Sequence, residues 1–313
     1  MEVIVSPKQT FMPEIVRKEP AVRDSTIVKA QKTCRRLYFY TVVCGFRERK
    51  STGYLAFGGA YHKFREVLET VFASTGNQGE ALKAALAACM TYWMKHGSEP
   101  TVGTKFDFLT GRKLLASCEE AFKHWQREKN AKAIEVVQGL VEGPAIITLS
   151  DGLTKIGARF DQVTRWRGRL WPRDFKSTSK EKRWFQRQLE PNDQFSRQSL
   201  ITWRLSGELP QGLFVELLFN DKKSGPEVIP LTTARTEDQL LNFEQDEIYL
   251  SNELNACREA DRWPMEEKSC PYCPFRSVCS APTERAQVAQ LKANFDQKFW
   301  DFTAADLNAE VEE

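Results

Sequence analysis

Two carboxylates and a lysine lie close together in this sequence and could support metal-dependent chemistry. Asp161 ends the run Gly157-Ala-Arg-Phe-Asp161, and Asp174-Phe175-Lys176 begins thirteen residues later. Because side chains alternate along a strand, Asp174 and Lys176 share one face while Phe175 points to the other. Paired carboxylates can hold Mg²⁺ or Mn²⁺, and a lysine can stabilise a pentavalent phosphate. The pattern indicates phosphodiester cleavage; the alternative for so short a motif is a surface ion pair.

A histidine and a glutamine could complete this set. His62 follows Gly58-Gly59, which predicts that it lies near the positive end of a helix over residues 60–73. A neutral imidazole is a common metal ligand. Gln194 lies in the first turn of a predicted helix over residues 193–205, from which it could contact a phosphate or the lysine. Taken alone, the histidine could be structural and the glutamine part of a capping turn.

Three of the eight cysteines form a compact group with the spacing C-x2-C-x5-C, namely Cys270, Cys273 and Cys279. Three thiolates so close together cannot pair off completely as disulfides, so the spacing is typical of a metal centre. With Cys34 as a distant fourth ligand, they would suit either a [4Fe–4S] cluster or a Cys₄ zinc site. Spacing alone leaves both open. Such a centre would staple the N-terminal and C-terminal helical regions together.

Composition and charge narrow the class of protein. The 313 residues are 41% apolar and 28% charged, with too little glycine and proline for a collagen-like or broadly disordered chain. No apolar run is long enough to span a bilayer and no signal peptide is evident, which predicts a cytoplasmic protein without a membrane partner. Residues 155–187 contain eleven basic and three acidic side chains interleaved with tryptophans. This stretch suits DNA, or else is a solvated positive face. The candidate DNA contacts are Arg165, Arg167, Arg173, Lys180, Trp184 and Arg187.

The periodicity of apolar residues predicts an α/β protein in which a central sheet positions these side chains. Helices are predicted at residues 27–43, 60–73, 79–96, 110–129, 193–205, 236–256 and 283–299, with Ser25 as the first N-cap. Strands are predicted at residues 134–140, 145–149, 153–166, 170–175 and 213–219.

These elements predict one large domain with a segment on either side. An extended N-terminal segment (1–24) precedes the domain over residues 25–300, which comprises a helical flank (25–130), a sheet core (133–220) and a helix and metal region (236–300). The acidic tail (301–313) could dock on a partner protein or act as a solvated tail. The sequence leaves the oligomeric state open.

The order of these residues resembles the iron–sulfur branch of the PD-(D/E)XK nuclease superfamily. That branch includes the Cas4 exonucleases, the AddB nuclease domain and RecB-like phage exonucleases, and the resemblance covers roughly residues 25–282. It implies a restriction-endonuclease-like fold, with a central mixed sheet flanked by helices and a [4Fe–4S] cluster stapling the two helical regions. The four ligands of that cluster would be Cys34, Cys270, Cys273 and Cys279.

The resemblance also implies the roles of the remaining residues. His62, Asp161 and Asp174 would bind catalytic Mg²⁺ or Mn²⁺ with the backbone carbonyl of Phe175, and Lys176 would assist hydrolysis.

The family's Q-x3-Y helix is matched only in part. Gln194 fits, but Gln198 stands where the tyrosine is expected, and moving the register to Gln198 puts Thr202 there.

We therefore expect a metal-dependent DNA exonuclease acting on single-stranded DNA or DNA ends. Its setting would be recombination, repair or CRISPR-like processing in a bacterial or phage-infected cytoplasm. One alternative is a catalytically weak DNA-binding or assembly protein on the same fold. Another is a zinc-stapled interaction module in which the D-x-K motif is incidental.

Overall fold

The computed structural model describes residues 12–49, 53–97, 109–131, 134–180 and 182–302. The chain divides into two compact units, each assembled from separate segments. The first unit takes segments from residues 1–50, 146–157 and 241–313, and the second from residues 51–145 and 158–240. Residues 1–11 of the predicted N-terminal segment and 303–313 of the acidic tail lie outside the described residues.

Helices and strands alternate along the chain in the order predicted for an α/β protein. The helices are α1 (Ser25–Thr33), α2 (Arg35–Tyr38), α3 (Gly53–Thr75), α4 (Gln78–His96), α5 (Gly111–Ala131), α6 (Lys182–Gln186), α7 (Asp193–Ser206), α8 (Glu237–Ala260), α9 (Arg276–Cys279) and α10 (Glu284–Asn294). The strands are β1 (Phe46–Glu48), β2 (Ile134–Thr148), β3 (Lys155–Trp166), β4 (Arg169–Thr178), β5 (Leu213–Phe219), β6 (Glu227–Thr233) and β7 (Phe295–Gln297). No helix in the described part of the chain is long and apolar enough to cross a bilayer.

Five strands form a mixed sheet in the order β2-β3-β4-β5-β6. Strand β4 pairs antiparallel with β3 and parallel with β5, and β5 pairs antiparallel with β6. A parallel neighbour requires a crossover connection, which α6 and α7 supply. The expected mixed sheet is confirmed. Strand β6 was missed because it contains Pro230, which is tolerated in a strand at the edge of the sheet.

Helices of the second unit pack on both faces of this sheet. Phe175 and Leu218 join a hydrophobic cluster with α3, α4 and α5, whereas Val215 packs against Phe195 of α7. Asp174 pairs in register with Val215, so it lies on the face covered by α7. The predicted alternation along β4 is therefore correct, and its two faces belong to different layers.

Helix α3 is longer than predicted and begins at Gly53 rather than at residue 60. Gly59 lies inside the helix, where a Cβ atom would collide with the Tyr92 side chain of α4. The glycines therefore mark a close helix–helix contact and not a helix start. His62 lies in the third turn of the helix, so its predicted position near the positive end is wrong.

The helix predicted over residues 27–43 is interrupted at Cys34. Cys34 has an extended backbone (φ −171°, ψ 129°) that separates α1 from α2, and a π-helical turn follows at Phe39–Val43. Helix α1 is capped by Asp24, whose side chain accepts a hydrogen bond from the Ile27 N–H. The predicted cap, Ser25, is the first residue of the helix instead.

The first unit has its own aromatic core. Phe39 packs on Trp263 with ring centroids 5.1 Å apart, and Phe275 stacks on Phe295 at 4.4 Å. Gly45 lies beside this core with a left-handed backbone (φ 72°), where a Cβ atom would meet the Lys298 backbone at 3.1 Å.

We expect Gly45→Ala to destabilise the protein by more than the roughly 1–2 kcal/mol that a left-handed backbone costs an L-residue. The excess comes from the collision with the Lys298 backbone. Gly207→Ala is the matched control, because Gly207 has the same φ of 72° and a Cβ atom there would meet no heavy atom within 4 Å. Urea unfolding of both variants checks this expectation, and equal losses would contradict it.

Candidate active site

Asp161 and Asp174 are held side by side on neighbouring strands. Gln162 of β3 pairs with Arg173 of β4. Asp161 directly precedes Gln162 and Asp174 directly follows Arg173, so the two aspartates are adjacent across the antiparallel strands. Asp161 Oδ2 accepts a hydrogen bond from the Phe175 N–H. Both side chains are buried, with 10% of Asp161 and 1% of Asp174 exposed. The structure thus places two carboxylates together in the interior of the second unit.

Helix α3 brings a histidine to this pair. His62 Nδ1 lies 3.4 Å from Asp161 Oδ1. The imidazole also meets the edge of the Phe175 ring, with centroids 6.4 Å apart. His62 is therefore at the predicted site, although its helix starts elsewhere than expected.

Three further side chains converge on Asp174. Lys176 Nζ lies 2.8 Å from Asp174 Oδ2, and Gln194 Nε2 donates to Asp174 Oδ1 at 2.7 Å. Gln198 Nε2 donates to the same oxygen at 3.3 Å, a contact that the sequence did not predict. The i,i+4 spacing of the glutamines, which puts both on one face of α7, is the signal that could have found it.

The two carboxylates have pKa values displaced in opposite directions. Burial raises the pKa of Asp174, and the neighbouring Asp161 charge adds to this against the pull of Lys176. Burial also acts to raise the pKa of Asp161, but His62, Lys176 and the Phe175 N–H together hold it below its ordinary value. Opposite shifts at a carboxylate pair are typical of functional sites.

These groups are of the kinds that bind a hard divalent cation, although the ligand atoms of His62, Asp161 and Asp174 do not all lie within 4.8 Å of one another. One imidazole nitrogen and two carboxylates are ligands that Mg²⁺ and Mn²⁺ accept. Asp174 Oδ2 is buried and faces the Lys176 ammonium at 2.8 Å, so a bound cation would share this oxygen with the lysine. The Phe175 carbonyl, the fourth predicted ligand, stays a prediction.

A second group of potential ligands lies apart from the predicted set. His124, Glu128 and Glu216 each offer a ligand atom within 4.8 Å of the others, the only such group of three in the described part of the chain. However, the Arg173 guanidinium already bonds to both carboxylates, at 2.8 Å to Glu128 and 2.5 Å to Glu216. We therefore interpret the arginine as the cation of this group.

This contact corrects one predicted DNA contact. Arg173 is 4% exposed and its charge is balanced by two glutamates, so it is not available to a phosphate. Hydrophobic alternation could not show this, because its partners come from α5 and β5.

The other predicted DNA contacts lie nearer the surface, in two places. Arg165 lies near the end of β3, where it pairs with Glu208 at 3.2 Å, and Arg167 lies in the turn that follows. Lys180, Trp184 and Arg187 follow β4 and are exposed. Lys180 Nζ lies 3.6 Å from the centroid of the Trp184 ring.

The four predicted cluster cysteines line one cavity of the first unit, about 330 Å³ in volume. Cys34 Sγ accepts a hydrogen bond from the Glu266 N–H at 3.3 Å. Burial raises the pKa of Cys273, with Cys34 and Cys270 adding to the rise. Burial likewise raises the pKa of Cys279, with Cys273 and Cys34 adding. The four cysteines thus line one cavity, although no three of their sulfur atoms lie within 4.8 Å of one another. A set of four soft ligands around one cavity fits a metal centre.

Comparison with known proteins adds a family to this geometry. A sequence model of the PD-(D/E)XK nuclease superfamily matches residues 26–280. No curated protein shows a significant match. Among solved structures, a "putative exonuclease" from Eubacterium rectale is 14% identical with a TM-score of 0.51, covering 84% of this chain and 90% of its own. The SSO0001 protein is also 14% identical, covering 83% of this chain and 98% of its own, with a TM-score of 0.30.

The likeness to the Eubacterium rectale protein supports the fold. The family match spans most of the chain and contains His62, both aspartates, Lys176 and the two glutamines. This chain belongs to the PD-(D/E)XK nuclease superfamily.

Proposed function

We propose that this protein is a Mg²⁺- or Mn²⁺-dependent deoxyribonuclease that degrades DNA from an end. The observation that carries the proposal is the convergence of His62 and Lys176 on the buried carboxylate pair Asp161 and Asp174. Membership of the nuclease superfamily supports phosphodiester hydrolysis. The description of the Eubacterium rectale protein as an exonuclease supports action from an end.

His62, Asp161 and Asp174 would hold the divalent cation, with the Phe175 carbonyl as a further ligand. When bound there, such a cation polarises a phosphate oxygen and lowers the pKa of water. Lys176 places a positive charge beside the site, where it stabilises negative charge that develops on the scissile phosphate.

The glutamines keep the carboxylate oriented. Gln194 and Gln198 both donate to Asp174 Oδ1, which leaves Oδ2 directed away from α7's amides. The departure from Q-x3-Y at position 198 therefore does not remove the amide contact to the site. This contact favours an active enzyme over a binding or assembly protein.

DNA would approach through the basic and aromatic side chains around β4. Arg165 and Arg167 would contact phosphates near the β3–β4 turn, and Lys180 and Arg187 would do so beyond β4. Trp184, which is 40% exposed, offers a ring on which a base of a single strand could stack.

The cysteine cavity of the first unit would hold a [4Fe–4S] cluster, with a zinc ion as the less favoured occupant. Its ligands would be Cys34, Cys270, Cys273 and Cys279. Because Cys34 lies between α1 and α2 and the others lie near α9, the group would join distant parts of the chain and stabilise this unit.

The biological setting that we propose is recombination, repair or CRISPR-like processing in a bacterial or phage-infected cytoplasm. A partner protein that binds the acidic tail remains a prediction, since residues 303–313 lie outside the described part of the chain.

Wild-type protein should shorten end-labelled DNA in Mn²⁺, and Asp174→Asn should reduce the rate by at least about 10³-fold because it removes a metal ligand. Lys176→Met should reduce kcat by roughly 10²–10³-fold. Exposed Asp238 provides the control Asp238→Asn, which should cleave normally. DNA binding without cleavage by metal-loaded wild type would sink the enzyme proposal and favour the assembly protein.

In EDTA at pH 7, Asp174→Asn should raise the melting temperature of the protein and Asp161→Asn should lower it. The raised pKa of Asp174 means that its charged form costs stability at neutral pH. The lowered pKa of Asp161 means that its carboxylate contributes stability above the ordinary carboxyl pKa, and loses it as the pH falls.

Thermal unfolding measures both effects. Adding Mn²⁺ should then raise the melting temperature of the wild type and of neither variant. Shifts of the same sign in EDTA would contradict the assignment of opposite electrostatic environments.

Anaerobically purified protein should contain iron and sulfide, and Cys34→Ser should lose most of both. Cys257 does not line the cavity, so Cys257→Ser should keep them. Elemental analysis and the visible absorption spectrum provide the measurement. Stoichiometric zinc without iron would show that the cysteines hold a zinc ion and not a cluster. Retention of iron by Cys34→Ser would exclude Cys34 as a ligand.

A further inference from the structure

A buried ionic group lies on the face of β4 and β5 opposite Asp174. Glu216 of β5 pairs in register with Phe175, and its side chain is 2% exposed. Its carboxylate accepts hydrogen bonds from Tyr61 Oη at 2.9 Å, Arg65 Nη2 at 3.2 Å and Arg173 Nη2 at 2.5 Å. One carboxylate therefore connects α3, β4 and β5.

The two arginines also enclose Phe175. The guanidinium carbon of Arg65 lies 4.5 Å from the centroid of the Phe175 ring, and that of Arg173 lies 5.5 Å from it. Nε and Nη1 of Arg65 have no hydrogen-bond acceptor among the described residues. Arg65 is fully buried, and Glu216 compensates its charge through a hydrogen bond to the guanidinium.

The residues that make these contacts are close in the chain to the proposed metal ligands or bond to them. Tyr61 immediately precedes His62 on α3, and Arg65 follows it by one turn. On the strand side, the N–H of Phe175 donates to Asp161. Glu216 is thus linked to His62 through the helix and to Asp161 through Phe175.

We infer that Glu216 is a positioning residue for the metal site. By holding Arg65 and Arg173 against Phe175, it fixes α3 to β4 and so sets His62 relative to the aspartates. This inference rests on the proposed function, because it assumes that His62 and the aspartates bind the cation.

The chain contains a matched control for this role. Glu69 lies on the same helix, its side chain is 5% exposed, and it pairs with Lys129 at 2.8 Å. It also accepts a hydrogen bond from the Trp125 Nε1–H at 2.8 Å. Both of these partners belong to α5. Glu69 is therefore buried and ion-paired, and it acts on Arg65 and Arg173 through its charge without a hydrogen bond that joins α3 to β4.

The test is calorimetric titration of the full-length protein with Mn²⁺, corrected by the heats measured for Asp174→Asn. Glu216→Gln should weaken the Asp174-dependent binding by roughly tenfold, because the arginines lose their shared anion. Glu69→Gln should lower the melting temperature but bind Mn²⁺ like the wild type. If Glu216→Gln fails to fold, the double variant Arg65→Met with Glu216→Gln replaces it in the test. This double variant removes one charge of each sign and so keeps the buried charges balanced. It should still bind Mn²⁺ weakly, because α3 remains unanchored.

The outcomes separate this inference from the proposed function. No Asp174-dependent Mn²⁺ binding by the wild type would overturn the proposed function itself. Normal binding by Glu216→Gln or by the double variant would overturn the positioning role alone, and so would an equal loss in Glu69→Gln. Loss of one of two bound ions, with unchanged affinity of the other, would show instead that Glu216 is itself a metal ligand.

Discussion

Two carboxylates buried side by side repel each other, and they lose the hydration that would stabilise their charges. The second unit compensates for this with groups from different elements. His62 of α3 and the amide of Phe175 act on Asp161, whereas Lys176 and the two glutamines of α7 act on Asp174. The compensation is unequal, since the pKa of one carboxyl is lowered and that of the other is raised. A divalent cation would supply the remaining positive charge, so the electrostatic imbalance and the donor set point to the same occupant.

The opposite face of the strand is also charged, but there the charges are balanced within the protein. Glu216 accepts hydrogen bonds from Arg65 and Arg173, and Glu128 accepts hydrogen bonds from Arg173. A buried ion pair of this kind contributes little net stability, but removing one partner typically costs about 3–5 kcal/mol. Such groups tolerate little displacement. A rigid layer behind Phe175 is what a site needs when its ligands come from a helix and two strands.

The sequence predicted correctly those features that depend on the alternation or periodicity of neighbouring residues. The spacing of Asp161, Asp174 and Lys176 depends on strand alternation, and the structure confirms that Asp174 and Phe175 belong to different faces of β4. The order of helices and strands follows from apolar periodicity in the same way. The mixed sheet was also correct, except for β6 and for β2, which continues through Gly143-Pro144 where two strands were expected.

The predictions that failed concern residues whose partners lie far away in the sequence. The basic stretch made Arg173 a candidate for DNA, because its glutamates come from distant parts of the chain. Glu216 was not among the candidate residues, because strand β5 carries no recognisable motif. Yet a single charged residue within the apolar strand Leu213–Phe219 is itself a signal, because a carboxylate in a strand covered on both faces must have buried partners. Similarly, Gly59 was interpreted as marking a helix start. Its close contact with Tyr92 could not be foreseen, because Tyr92 belongs to another helix.

The exposure of the individual side chains indicates from which direction the site is reached. Asp174 is 1% exposed and Asp161 is 10% exposed, whereas His62 and Lys176 are 31% and 30% exposed. The layer behind the strand is closed, since Glu216 and Arg65 are almost fully buried. Under the proposed function, a cation and a phosphate would therefore reach the site past the imidazole and the ammonium. Lys176 is more exposed than Asp174, with which it pairs, so its positive charge would meet an incoming phosphate while the aspartates remain shielded from water. Shielding of this kind strengthens every electrostatic contact in the site.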